Sequence, residues 1–417
     1  MKKTAVKNLI ILLAMPFIGL FLMLMVHFLP TEKMADNVYS SKSSIISEYS
    51  NELVIDEYNA TLKGSFTDAL MLQYAIYDRG SHSVLQQVMA MYRRESANDG
   101  SWWPGISLID YLNGKQGQTE ISYSRYWHGY LVILKPLLLF FSYNSIRLLN
   151  TALQSTLFAL AAAGLAKRGR FRLASAFCVS VPFMFFFSSF ASLSLSVCMY
   201  IMLAEMVIVA LFHDRLVKDE NYLSFFIVFG AVTSFADFLT YPLVTLAFPL
   251  IALLCLKNEK DTKKFIDILK YSLSWGIGYG FMWASKWVMA ALFIGKGAFS
   301  DALSTVAARS ASSGNGRISG YLSVLKNNFK PYLNRAFALF TFLIVIYVII
   351  MFVKSDKKKY LDSVSRSYSL FAVAAFPFVW WFVAANHSAE HWMFTCRIIS
   401  ISVFAILAFA LGQETAE

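Results

Sequence analysis

The chain has 417 residues, 57% hydrophobic and only 15% charged, with a formal net charge of +11 and a mean hydropathy of +0.53. Soluble domains average about 45–50% apolar and about 25% charged, so an ordinary soluble enzyme and a disordered chain are both excluded. The excess lies in runs of roughly 17–25 apolar residues, each enough to cross a ~30 Å hydrocarbon core. This predicts an all-α polytopic membrane protein, and the basic balance then belongs to membrane topology rather than to nucleic acid.

The N-terminus places Lys2, Lys3 and Lys7 before an apolar run at 8–29. No small-x-small cleavage site follows, so a retained signal-anchor helix is expected rather than a cleaved peptide. Ten spans are predicted, at 8–29, 145–166, 173–190, 194–212, 222–238, 240–256, 268–293, 334–353, 367–385 and 397–412, within one membrane domain over 1–417. Of the 37 Lys and Arg, 18 fall before span one or in alternate short connections, among them Lys167, Arg168, Arg170 and Arg172. The positive-inside rule makes that face cytoplasmic and puts both termini there. The four cysteines, Cys178, Cys198, Cys255 and Cys396, have no CxxC or zinc spacing and read as small core residues.

The opposite face then holds loops at 30–144, 294–333 and 386–396. In the first loop, 66–78 reads as a helix, with Phe66, Leu70 and Tyr77 near one face. Leu85, Met89 and Tyr92 recur at i, i+4, i+7 and mark a second. The stretch 126–142 is apolar, fronted by aromatics and broken at Lys135-Pro136, which favours a helix lying in the interface over a further span. Asp68 sits in the first turn of the first helix, where a carboxylate complements the helix dipole. Capping and catalysis are both open to it on position alone.

A long loop follows span one, with a carboxylate at the start of an interfacial helix. Next come a His-bearing amphipathic stretch and Arg147-Leu148 opening span two. That order resembles the GT-C superfamily of polyprenyl-phosphate-sugar-dependent glycosyltransferases, nearest to protein O-mannosyltransferases and the lipid A aminoarabinose transferase. The resemblance covers about residues 1–170 in ordered features and the remainder only as a number of spans. It implies Asp68 as catalytic base, and His128 and Arg147 as matches to the family's His and Arg. Many members carry an Asp-Glu pair where this chain has Asp68-Ala69, so Asp36, Asp56, Glu57 and Asp78 stand as alternatives. It also implies a multi-pass protein of a bacterial plasma membrane. The partners would be a polyprenyl-phosphate-linked sugar, an acceptor glycan, lipid or protein, and the bilayer. No cofactor is implied, and a divalent-metal requirement is left open.

The chemistry fits those residue types. A sugar on a lipid phosphate is already activated. The site needs positive charge beside the departing phosphate and a carboxylate to take the acceptor's proton, and one displacement inverts the anomeric centre. Arg147, His128 and Arg125 are candidates for the donor phosphate, against a snorkelling role for an Arg at a span end. Asp68→Asn is then expected to remove transfer with the fold nearly intact.

Ionisable groups within spans usually line a cavity. Asp237 and Lys286 fall near the outer ends of spans five and seven, either lining a cavity or pairing with each other, and Glu205 lies nearer the inner end of span four. The last loop gathers His387, Glu390, His391 and Arg397. Its His-x-x-Glu-His pattern is that of inverzincin proteases, but no third ligand follows on that side. A metal-free phosphate or sugar site, or an aromatic-belt turn, is the better reading. The second loop contains Ser312-Ser313-Gly314-Asn315-Gly316-Arg317, a flexible composition. It reads as a lid using Arg309 or Arg317, or as a passive linker. The rival functions are a lipid-linked-glycan flippase or transporter, a polysaccharide polymerase, and a channel. Neither inverted repeats nor polar-lined spans support the first or the last.

Overall fold

The computed structural model describes residues 2–48, 53–54, 61, 63–96, 103–257, 264–311, 317–354 and 368–412. Asp56, Glu57, the glycine-serine stretch 312–316 and the side chain of Arg317 lie outside the described residues.

Three short helices follow the first long one: α1 (Lys2–His27), α2 (Thr31–Tyr39), α3 (Lys42–Ser47) and α4 (Ser65–Ile76). After α5 (Val84–Ala90) come β1 (Tyr92–Glu95), α6 (Pro104–Leu112) and β2 (Thr119–Ser122). The strands pair antiparallel, Tyr92 opposite Ser122 and Glu95 opposite Thr119. Then α7 (Leu131–Leu138) leads into α8 (Tyr143–Lys167), α9 (Phe171–Ser180), α10 (Phe186–Phe190) and α11 (Leu193–Val217). The rest is α12 (Asn221–Ala236), α13 (Leu243–Leu256), α14 (Lys264–Ile294), α15 (Gly297–Ser310), α16 (Arg317–Phe329) and α17 (Arg335–Lys354). The chain closes with α18 (Tyr368–Val383), α19 (Ala385–Glu390), α20 (Trp392–Thr395) and α21 (Ile399–Gly412).

This is an α-helical membrane protein with one small hairpin. Among the described residues five helices are long and apolar enough to cross a bilayer, or six if the bent pair Ile318–Leu333 and Phe337–Ile350 counts as one. Four further apolar helices, Phe171–Met184, Asn221–Ala236, Leu243–Leu256 and Tyr368–Val383, are shorter. The expected spans overlap helices, but that at 173–190 is split between α9, a 3-10 turn and α10, and not each helix is of spanning length. Fourteen residues reach only about 21 Å at 1.5 Å per residue. The shortening has local causes. Pro182 ends α9 in a 3-10 turn, and the loop from Asp237 to Pro242 ends α12. Leu9, Phe17, Phe21, Leu148, Leu339 and Phe382 expose more than half of their surface, as lipid-facing side chains do.

One end of the bundle carries the basic connections. There Lys7 bonds Asn221, Arg168 bonds Asp214 at 3.1 Å and Lys257 bonds Asp267 at 3.1 Å. The described residues of the segment from 30 to 142 cover the other end; two buried charges, Asp68 and Lys286, fasten them to the bundle, and a third, Lys135, ties the segment to itself. Asp68 accepts the first amide protons of α11. Lys135 on α7 donates to the Ala75 carbonyl in the last turn of α4 at 2.6 Å, and burial pushes its amine down to about 8. Lys286 on α14 donates to Val88 O and Met89 O in the last turn of α5, at 2.6 and 3.0 Å. Each charge meets a helix end of opposite partial charge. The segment is therefore packed into the protein rather than laid over it.

The closest backbone contact is a glycine notch between α12 and α14. A Cβ on Gly278 would lie 2.1 Å from Ile227 O, and one on Gly230 would lie 2.1 Å from Trp275 O. Small residues let membrane helices approach in this way. Gly278→Val is expected to force the helices apart at a cost of about 1–3 kcal/mol or more. Gly276→Val, with nothing within 4 Å of its added Cβ, should be tolerated. Thermal midpoints in detergent check this, and equal midpoints for the two variants would contradict it.

Candidate functional site

The site has two halves joined by one loop. The first is built on α4. Gly64 precedes that helix at φ +71°, and a Cβ on it would lie 2.3 Å from Ser192 Oγ, so the chain passes against the start of α11. That approach seats Asp68, 1% exposed, under the helix end. Its Oδ1 accepts from Ser192 Oγ at 3.0 Å and Ser194 N at 2.9 Å, and its Oδ2 from Leu193 N at 2.7 Å and Tyr143 Oη at 2.9 Å. A carboxylate has about four acceptor positions, and all four are used. Burial pushes the carboxyl above its ordinary range, and the bonds from Leu193, Ser194 and Tyr143 together with the Arg147 charge offset this only in part.

Beside it lies Glu48, 3% exposed, at the end of α3. Arg147 Nη1 donates to its Oε1 at 2.6 Å, and the guanidinium lies 5.1 Å from the Tyr143 ring. The other oxygen, Oε2, has no hydrogen-bond partner among the described residues. Burial pushes the Glu48 carboxyl above its ordinary range despite Arg147.

The second half is aromatic and cationic. His128 adopts φ +56°, an uncommon conformation for a non-glycine residue that concentrates at functional sites. Its ring sits among Tyr74, Tyr123, Tyr126, Tyr130 and Phe238, with centroids 4.6 to 6.5 Å away. Burial holds the imidazole well below its usual range, so it is neutral. Arg125 Nη1 donates to Asp301 at 2.8 and 2.9 Å. Arg309, at the end of α15, donates to Tyr126 Oη. The rings of His387 and His391 meet at a tilt of 52°, with centroids 4.8 Å apart. Burial, then the charge of Arg309, pushes His387 down to about 3 and lowers His391 as well.

The loop between α12 and α13 joins the halves. Phe238 packs on His128 and Tyr130. Leu239, at φ +69°, offers its carbonyl to His387 Nε2 at 2.9 Å. Tyr241 Oη donates to Leu195 O in the first turn of α11, the helix that Asp68 caps. The two halves also share α4. Asp68 lies six residues before Tyr74, about 9 Å along the helix axis.

Several expectations need correction. Asp237 and Lys286 do not pair: Asp237 accepts from Thr240 N and Oγ1, while Lys286 holds α5 and faces the Trp127 ring at 5.5 Å. Arg147 bonds Glu48 beside Asp68, whereas His128 lies among the tyrosines and the turn 386–397 reaches that group through His387 and Leu239 O. Arg397 turns inward, donating to Met393 O above the Phe185 ring. The 294–333 segment, expected to be flexible, is mostly helical where it is described, as α15 and α16. Asp36 and Asp78 are exposed, and Asp78 only caps Gly80 N at 3.2 Å. Glu390 bonds Asn386, and no group of three or more metal-ligating side chains occurs among the described residues. Glu205 is fully buried in α11, with neither carboxylate oxygen bonded among the described residues.

The fold and site define an α-helical membrane protein with a cationic, tyrosine-lined centre at one end. No family model, curated protein or solved structure matches the chain.

Proposed function

We propose that the protein is a glycosyltransferase, crossing the plasma membrane ten times with both termini in the cytoplasm. It moves a sugar from a polyprenyl phosphate to a hydroxyl of an envelope glycan, lipid or protein on the outer face. The observation that carries this reading is the gathering of Arg125, Arg309, His387 and His391. They come from three segments far apart in sequence and share one end of the bundle around buried tyrosines. Two fixed cations, with the neutral imidazole of His391 beside them and His387 held by its one N–H on Leu239 O, suit a departing phosphate, whose charge grows as the bond to the sugar breaks. In the displacement the acceptor oxygen bonds C1, the C1–phosphate oxygen bond breaks, and the hydroxyl proton goes to a carboxylate. Asp68 and Glu48 are the buried carboxylates of the first half, and Glu48 is the better acceptor because its Oε2 is unbonded among the described residues, whereas all four acceptor positions of Asp68 are used.

Reconstituted protein, given undecaprenyl-phosphate-linked radiolabelled hexoses and pentoses with envelope fractions, should release undecaprenyl phosphate. Arg309→Gln should slow that release roughly 10²–10³-fold, as loss of one transition-state donor does, at an unchanged thermal midpoint. No release by the wild-type protein from any of these donors would sink the reading.

A further inference from the structure

Arg125 is held on one side by fixed structure and on the other by an exposed acid. Its own carbonyl accepts the indole N–H of Trp283 and of Trp287, each at 3.1 Å, and its guanidinium lies 4.6 Å from the Tyr123 ring. Both oxygens of Asp301 lie on the same nitrogen, Nη1. The buried Nε–H has no partner among the described residues. The Asp301 side chain is 49% exposed and that of Arg125 22%. An ion pair this open to water is weakly held, and a carboxylate straddling one nitrogen leaves the guanidinium fork half used.

Asp301 lies on α15, which rests on the rest of the site through a few contacts. Arg309 bonds Tyr126, Phe299 packs edge-on against Trp287, and Asn386 N donates to Ala311 O at 3.2 Å just past the helix. Leu303 is 56% exposed, so α15 has an apolar face turned away from the protein.

We infer that Asp301 is a built-in competitor for an oxyanion that Arg125 binds. The carboxylate holds the guanidinium until a phosphate group replaces it across the Nη1–Nη2 end of the fork, and α15 shifts as Asp301 leaves. The oxyanion could be a free phosphate or a lipid phosphate, and its assignment to the lipid donor rests on the function proposed above.

Binding to the full-length protein in nanodiscs tests this with two probes, inorganic phosphate and undecaprenyl phosphate. Asp301→Asn keeps the side chain's size and removes the competing charge. It should tighten binding roughly two- to fivefold, the factor an exposed ion pair is worth. Arg125→Gln and Arg125→Lys should both weaken binding, and adding Asp301→Asn to either should restore nothing. Unchanged or weaker binding by Asp301→Asn for both probes would overturn the inference. A response to inorganic phosphate without binding of undecaprenyl phosphate would keep the competitor and reject the lipid-linked donor.

Discussion

Asp68→Ala is expected to unfold the outer end of the protein rather than merely stop it working. Four buried donors point at this carboxylate, two of them amides at the start of a 25-residue helix. Each donor stranded in the interior costs about 1–3 kcal/mol, so even partial rescue by water leaves a loss on the order of 3–5 kcal/mol. Asp68→Asn is milder but not neutral. Its amide nitrogen can only donate, and every neighbour of that carboxylate donates already. The expected reading is a large fall in thermal midpoint for Asp68→Ala in detergent, a smaller one for Asp68→Asn, and little monodisperse protein for the former. A wild-type midpoint for Asp68→Ala would show that the helix end finds another acceptor. The expectation of a nearly intact fold for Asp68→Asn leaves this cap out of account, because the start of α11 that Asp68 caps cannot be seen from α4 alone.

The helices were legible because their apolar runs are long and their breaks are chemical. Helix 66–78 differs from α4 by one or two residues at its ends, while α7 runs through Lys135-Pro136, where a break is expected, and Pro182 breaks the run expected as one span at 173–190. The hairpin was not legible, since Tyr92-Arg93-Arg94-Glu95 and Thr119-Glu120-Ile121-Ser122 are polar and separated by a helix. Half of the site was visible in the same way. Arg125, His128, Arg309, His387 and His391 stand out as cations and histidines beside aromatics at the ends of apolar runs. Glu48 did not stand out, because it follows Ser47 in a run of ordinary polar residues and gains meaning only when α8 brings Arg147 to it. Asp301 was hidden likewise, as an acid in an unremarkable helix until Arg125 lies against it. The Asp237–Lys286 pair, one of the two readings open for these groups, is absent because each found a backbone partner nearer by, a turn amide for the acid and helix-end carbonyls for the amine. Sequence shows which groups are costly to bury and gives little sign of which neighbour satisfies them.

Glu48→Gln is the variant expected to separate chemistry from fold. The amide keeps an oxygen for the Arg147 hydrogen bond and nearly the same volume, so the packing around Tyr143 survives better than in any Asp68 variant. What it loses is the capacity to take a proton. Removing a general base typically costs 10²–10⁴ in rate, and sugar transfer should fall by roughly that factor. The pH profile supplies the second readout. A base must be deprotonated to act, and burial pushes the Glu48 carboxyl above the ordinary carboxylate range. Wild-type transfer should therefore decline as pH falls through a value higher than that of an exposed glutamate. In Glu48→Gln the residual rate should lose that limb, and Glu48→Asp should recover part of the rate and the limb together. Were Glu48→Gln to transfer sugar at the wild-type rate with the wild-type profile, the proton would have to go elsewhere. The unbonded oxygen beside Arg147 would then be a structural feature of the docked outer segment and not its chemical centre.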